Sequence, residues 1–137
     1  MQSSSLSKQL FICVDGVLIK DAKILLLKRS VEPFKGFWHV VGGHVEDNET
    51  FKEALKREFK EETNLDVQIG DELDRRIEET FDRIKFVVVL QVNSYSGRLK
   101  LNEESIEYGW FSQMPTKSVY DYSRYLSKPK NTTNFFP

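Results

Sequence analysis

The chain has 137 residues, which suits one domain built around a single core. Hydrophobic residues make up 39% and charged residues 30%, the balance of an ordinary globular protein, and a formal net charge of -1 excludes a global field that would gather nucleic acid or an anionic membrane. The single cysteine, Cys13, excludes an internal disulfide, and its neighbours Phe11, Ile12 and Val14 mark it as a core thiol.

Residues 1–7 are Ser-rich, and 1–9 read as a flexible N-terminus. They carry no basic segment followed by a long apolar run, so a cytoplasmic protein without a secretory signal is expected. Residues 10–19 are rich in β-formers, with Asp15-Gly16 expected to interrupt them as a bend or bulge. Asp21-Ala22 reads as a turn into a second apolar run at 23–28, which together make a hairpin. Residues 30–36, with Pro33, read as a loop, and 37–41 as a short strand broken by Gly42-Gly43. Thr50 with Glu53 three residues later forms a capping box, which predicts a helix over Phe51–Thr63. Asn64 suits the left-handed residue that ends it. Strands are then expected at 65–69, 84–95 and 108–111, with a turn at Gly97 and a terminal helix at 119–126. The longest apolar stretches, 24–27 and 86–90, are strand-sized and far too short to span a bilayer. The domain is placed at 10–127, followed by a loose tail at 128–137 that contains Phe135-Phe136. Strands interleaved with two helices indicate an α/β or α+β layered fold.

On a wheel of about 100° per residue, Phe51, Ala54, Leu55 and Phe59 form the core stripe of the central helix. Lys52, Glu53, Lys56, Lys60 and Thr63 fall opposite and are expected in solvent. Glu58, Glu61 and Glu62 fall in the core sector at spacings of three and four, so they stand side by side. Like charges at that spacing repel, and the helix C-terminus disfavours anions. A cation would relieve both effects, and hard carboxylate donors suit Mg²⁺, or Mn²⁺, better than Zn²⁺. An acidic end of a solvated helix stands as the alternative from the helix alone.

The segment Gly42-Gly43-His44-Val45-Glu46-Asp47-Asn48-Glu49, followed by Arg57-Glu58-Phe59-Lys60-Glu61-Glu62-Thr63-Asn64-Leu65, resembles the Nudix signature G-x5-E-x7-R-E-U-x-E-E-x-G-U, where U is a bulky apolar residue. Gly43, Glu49, Arg57, Glu58, Phe59, Glu61, Glu62 and Leu65 match it, and Asn64 replaces a glycine. The order of the flanking strands is similar to a whole Nudix domain. The resemblance implies an α/β/α sandwich with a mixed central sheet, and MutT-like hydrolysis of a diphosphate linkage in a small nucleotide with the help of a divalent metal. By the same resemblance Glu58, Glu61 and Glu62 would hold Mg²⁺ and serve catalysis, with the backbone carbonyl of Gly42 or Gly43 as a further ligand. Arg57 and Glu49 would pair and orient the cluster. An additional acid is expected from a later loop, where Glu103, Glu104 and Glu107 are candidates and Glu104 is favoured. Homodimers are common in the family.

For substrate contacts, Arg29 either meets a phosphate or is a plain charge at a strand end. Phe37 and Trp38, near Phe34, either stack on a base or, for Trp38, join the core. His44 follows the glycines and either approaches phosphate or sits exposed. The proline, tyrosine and longer markers of several Nudix subfamilies are absent around residues 80–83, so nucleoside triphosphates and nucleotide sugars such as ADP-ribose stand level. A non-catalytic Nudix-fold nucleotide-binding or regulatory module is the alternative, and the complete glutamate set argues against it. The near-neutral charge argues against a nucleic-acid substrate.

Overall fold

The computed structural model describes residues 7–126. Residues 1–6 of the N-terminus and 127–137, which hold the expected tail with Phe135 and Phe136, lie outside the described residues. In chain order the elements are β1 (Gln9–Lys20), β2 (Lys23–Arg29), β3 (Trp38–His39), β4 (Val41–His44), α1 (Phe51–Thr63), β5 (Asp66–Glu79), β6 (Arg83–Ser96), β7 (Ser105–Phe111) and α2 (Ser123–Leu126).

β1 organises the sheet because it is long enough to serve several partners. Its length from Gln9 to Leu18 runs parallel to β6, while Cys13 to Gly16 pair antiparallel with β4 on the other edge. Its last residues turn into β2 through Asp21 and Ala22, both at positive φ. β2 carries β3 on one side and β7 on the other, and β5 closes the far edge on β6. The result is a mixed sheet with the path β3-β2-β1-β6-β5, from which β4 and β7 branch.

Strand alternation sends neighbouring residues to opposite faces. Val14, Leu18, Val88 and Leu90 face α1 and pack with its Ala54, Leu55 and Phe59. Cys13, Val17, Val87 and Val89 face the other way and pack under Tyr122 of the C-terminal segment. Both faces of the sheet are therefore covered, which gives the three-layer sandwich. Phe59 is fully buried and contributes roughly 2–3 kcal/mol through apolar burial. Among the described residues no helix is long and apolar enough to cross a membrane.

Several expectations need correction. Asp15-Gly16 does not interrupt β1, and Gly42-Gly43 does not break a strand: the two pairs lie opposite each other in the β1–β4 ladder. Gly16 is needed for packing, since a Cβ there would lie 2.7 Å from Phe59 Cε2. β3 is only two residues long, and Val40 separates it from β4. β5 runs ten residues past the expected end, because pairing with β6 holds a charged, largely exposed edge strand through three register shifts. Thr63 is fully buried: its hydroxyl donates to the Phe59 carbonyl at 2.5 Å and accepts from the Leu65 amide at 3.2 Å. The terminal helix shrinks to Ser123–Leu126, because residues 117–119 are bonded to β3 through the Trp38 amide and carbonyl.

Candidate functional site

The site is built on α1 and the chain that enters it. The Thr50 hydroxyl accepts from the Glu53 amide at 3.1 Å, and the Glu53 carboxylate accepts from the Thr50 amide at 2.9 Å, which fixes where the helix begins. Asn64, at φ 65°, ends the helix, and its side chain donates to the Arg98 carbonyl at 3.1 Å.

Arg57 is the hub. Its guanidinium grips Glu49 with two bonds, Nε to Oε2 at 2.6 Å and Nη2 to Oε1 at 3.0 Å. The same group donates to the His44 carbonyl at 2.9 Å, to Glu58 at 3.0 Å and to Glu61 at 3.3 Å. One planar fork therefore ties the β4 end, the loop and the helix together. The guanidinium, with the Glu46 amide, holds the Glu49 carboxyl below its usual range.

Glu58 lies directly against β4. A Cβ on Gly43 would fall 2.5 Å from the Glu58 carboxyl carbon, so only glycine permits this approach. Glu62 is 8% exposed and lines a cavity of about 90 Å³ together with Gly42, His39, Arg29 and Glu104. Glu61 departs from the expected inward position: its side chain is 55% exposed, held at the rim by Arg57. The late loop reaches the helix through Asn102, which sequence reasoning missed. Its side chain donates to the Glu61 carbonyl at 3.0 Å and accepts from the Glu104 amide at 2.9 Å, placing Glu104 at the cavity.

The electrostatics of Glu62 are unusual. Burial, then a hydrogen bond with Glu58 and the charges of Glu58, Glu104 and Glu61, push its carboxyl up to about 10. Arg57 spends its donors on Glu49, Glu58, Glu61 and the His44 carbonyl. Glu62 and Glu104 line the cavity, with Glu58 and Glu61 close to Glu62, and this set of hard carboxylate oxygens fits a divalent hard cation in donor chemistry. Among the described residues no three acidic, histidine or cysteine side chains converge as a ready-made cage.

Of the candidate substrate contacts, Arg29 lines the cavity and donates to the Pro33 carbonyl at 2.8 Å. Phe37 meets Phe34 edge-on at 5.6 Å with Lys117 over its ring. Trp38 packs edge-on against Phe111 at 4.7 Å, on the face opposite α1, with Lys28 over its ring. His44 stacks on Phe11 at 4.9 Å.

Sequence reasoning also missed a buried polar network behind the cavity. Asp15, 5% exposed, accepts a short hydrogen bond from the Tyr122 hydroxyl and pairs with Arg76 at 3.1 Å. Arg76 also bonds Glu78 at 2.5 Å and stacks on Tyr120 at 3.6 Å. His39 Nε2 lies 3.4 Å from the Tyr122 hydroxyl. The one hint in the sequence was a lone acid in the apolar run Val14-Asp15-Gly16-Val17.

A family model described as the NUDIX domain matches residues 11–119. The chain is 37% identical over 123 residues to the ADP-ribose pyrophosphatase of Methanocaldococcus jannaschii, across 84% of this chain and 70% of that protein. It is 31% identical over 91 residues to the CTP pyrophosphohydrolase of Escherichia coli, across 66% of this chain and 67% of that one. Among solved structures, the MutT protein from Methanosarcina mazei Go1 superposes with a TM-score of 0.71 at 32% identity, covering 79% of this chain and 80% of that one. Sequence, fold and the acidic helix thus agree: the chain belongs to the Nudix family of hydrolases.

Proposed function

We propose that the chain is a Mg²⁺-dependent pyrophosphohydrolase that splits the diphosphate linkage of a small nucleotide, with Mn²⁺ as the second candidate ion. The observation that carries this reading is the buried Glu62 carboxyl, crowded by Glu58, Glu61 and Glu104 beside the Gly42 backbone. Glu58, Glu61 and Glu62, with the carbonyl of Gly42 or Gly43, would hold the cation, and Glu104 would join them from the late loop. When bound, the cation supplies neutralisation of the phosphate oxygens and Lewis acidity toward the attacking water. The chain's own groups do the rest. Arg57, braced by Glu49, holds Glu58 and Glu61 in place. A carboxylate of the cluster takes the proton from water. Arg29 supplies positive charge at the cavity wall for a substrate phosphate.

The two curated relatives above are named for ADP-ribose and for CTP, so a nucleotide sugar and a nucleoside triphosphate remain the two substrate classes to separate. A panel containing ADP-ribose, CTP and the other nucleoside triphosphates, assayed with Mg²⁺, tests the reading. Turnover of at least one member, lost in Glu62→Gln, supports it. Turnover unchanged in Glu62→Gln overturns the site, and no turnover of any diphosphate compound overturns the function.

A further inference from the structure

The cavity wall contains a residue that the acidic cluster does not explain. His39 lines the cavity together with Glu62, and its ring meets the neighbouring Val40 carbonyl and Tyr122, a residue distant in sequence. A carbonyl oxygen can only accept, so the 2.8 Å contact between Nδ1 and the Val40 carbonyl places a proton on Nδ1. The Tyr122 hydroxyl gives its proton to Asp15, and its oxygen packs 3.4 Å from Nε2, with the Asp15 carboxylate 3.9 Å from the same nitrogen. Asp15 is in turn pinned by Arg76, and Tyr122, with no exposed surface, also meets the His39 ring edge-on at 5.8 Å.

The geometry points to Tyr122 and Asp15 as positioning residues that fix the His39 ring in the wall of the nucleotide cavity, which makes the C-terminal segment part of the site. This rests on the pyrophosphohydrolase reading only for its kinetic arm. Tyr122 lies 83 residues from His39 and 107 from Asp15, so the lock forms only once that segment has docked on the face opposite α1. Both ring nitrogens of His39 point at protein groups. The ring is offered to substrate as part of the cavity surface. A mispositioned wall weakens substrate binding while leaving the glutamate chemistry in place, so the effect falls on KM more than on kcat.

Tyr122→Phe tests this, since it keeps the ring and deletes the hydroxyl. KM for ADP-ribose or CTP, whichever is turned over, is expected to rise about tenfold with kcat within about twofold. The ring ¹⁵N resonances of His39 are expected to shift. In a His39→Ala background the same substitution is expected to add less than about twofold, because its route to the substrate is gone. A purely structural role for Tyr122 would lower the melting temperature and leave all three readouts unmoved, which overturns the proposal. A full effect of Tyr122→Phe in the His39→Ala background also overturns it. Should Tyr122→Phe not fold, Asp15→Asn gives the same readings from the other end of the lock. Should the wild-type protein turn over no nucleotide, the functional reading fails separately. The resonances then decide, and an unmoved His39 signal in the variant overturns the positioning role.

Discussion

Replacing Glu62 with Gln separates the cost of the acidic site from its use. Glu62 is buried, and its carboxyl is pushed from 4.5 up to about 10 by burial and by its acidic neighbours. Between those two values the folded metal-free protein holds a proton that the unfolded chain has lost. The folded state then binds more protons, so stability falls as pH rises through that window. One proton taken up on folding corresponds to about 1.4 kcal/mol of stability lost per pH unit, or roughly 5 °C in Tm for a domain of this size. Glutamine is nearly isosteric and does not ionise, so Glu62→Gln escapes this slope. In EDTA, thermal melts from pH 6 to pH 9 should show the variant gaining on the wild type by roughly 5 °C per unit. Adding Mg²⁺ should raise the Tm of the wild type at pH 8 and leave the variant little changed. A pH-independent difference between the two proteins in EDTA would refute the crowded, buried carboxyl. An equal response of both to Mg²⁺ would refute its role as a metal donor.

Arg57→Lys keeps the charge but loses the fork that grips Glu49, and it should cut turnover at least about tenfold with only a modest fall in Tm, measured by initial rates and melts on the same preparation. Gly43→Ala places a methyl 2.5 Å from the Glu58 carboxyl carbon and should weaken Mg²⁺ binding, read by titration calorimetry, while the fold persists by circular dichroism. Gly16→Ala drives a methyl into Phe59 and should cost about 1–3 kcal/mol in urea unfolding, with no direct effect on the metal.

What the sequence made legible was local. Thr50, Glu53 and Asn64 announce α1 through bonds made within one helix, and Asp21-Ala22 announces the first hairpin through backbone conformation. The Glu49–Arg57 grip spans eight residues and was implied by the resemblance to the Nudix signature. What stayed hidden depends on contacts between distant residues. Gly42 and Gly43 look like strand breakers until β1 is seen to pair with them. The second half of β5 lacks an apolar face because it is an edge strand, with Ile77 67% exposed. Thr63 falls on the polar side of an ideal wheel, yet its hydroxyl bonds the Phe59 carbonyl and the Leu65 amide, and its own carbonyl accepts from the distant Lys100 amide. Asp15 on β1, Arg76 on β5 and Tyr122 in the segment just before α2 are far apart in the chain, and no local periodicity reports the network.

The most direct test of the central claim is the bond that breaks and the ion it requires. With ADP-ribose and with CTP as substrates, ³¹P NMR of the products should show the diphosphate bridge split into AMP and ribose 5-phosphate, or into CMP and pyrophosphate. The reaction should occur with Mg²⁺, stop with EDTA and be absent in Glu58→Gln and Glu62→Gln. Product formation that persists in EDTA, or release of orthophosphate alone from a terminal phosphate, would contradict the account.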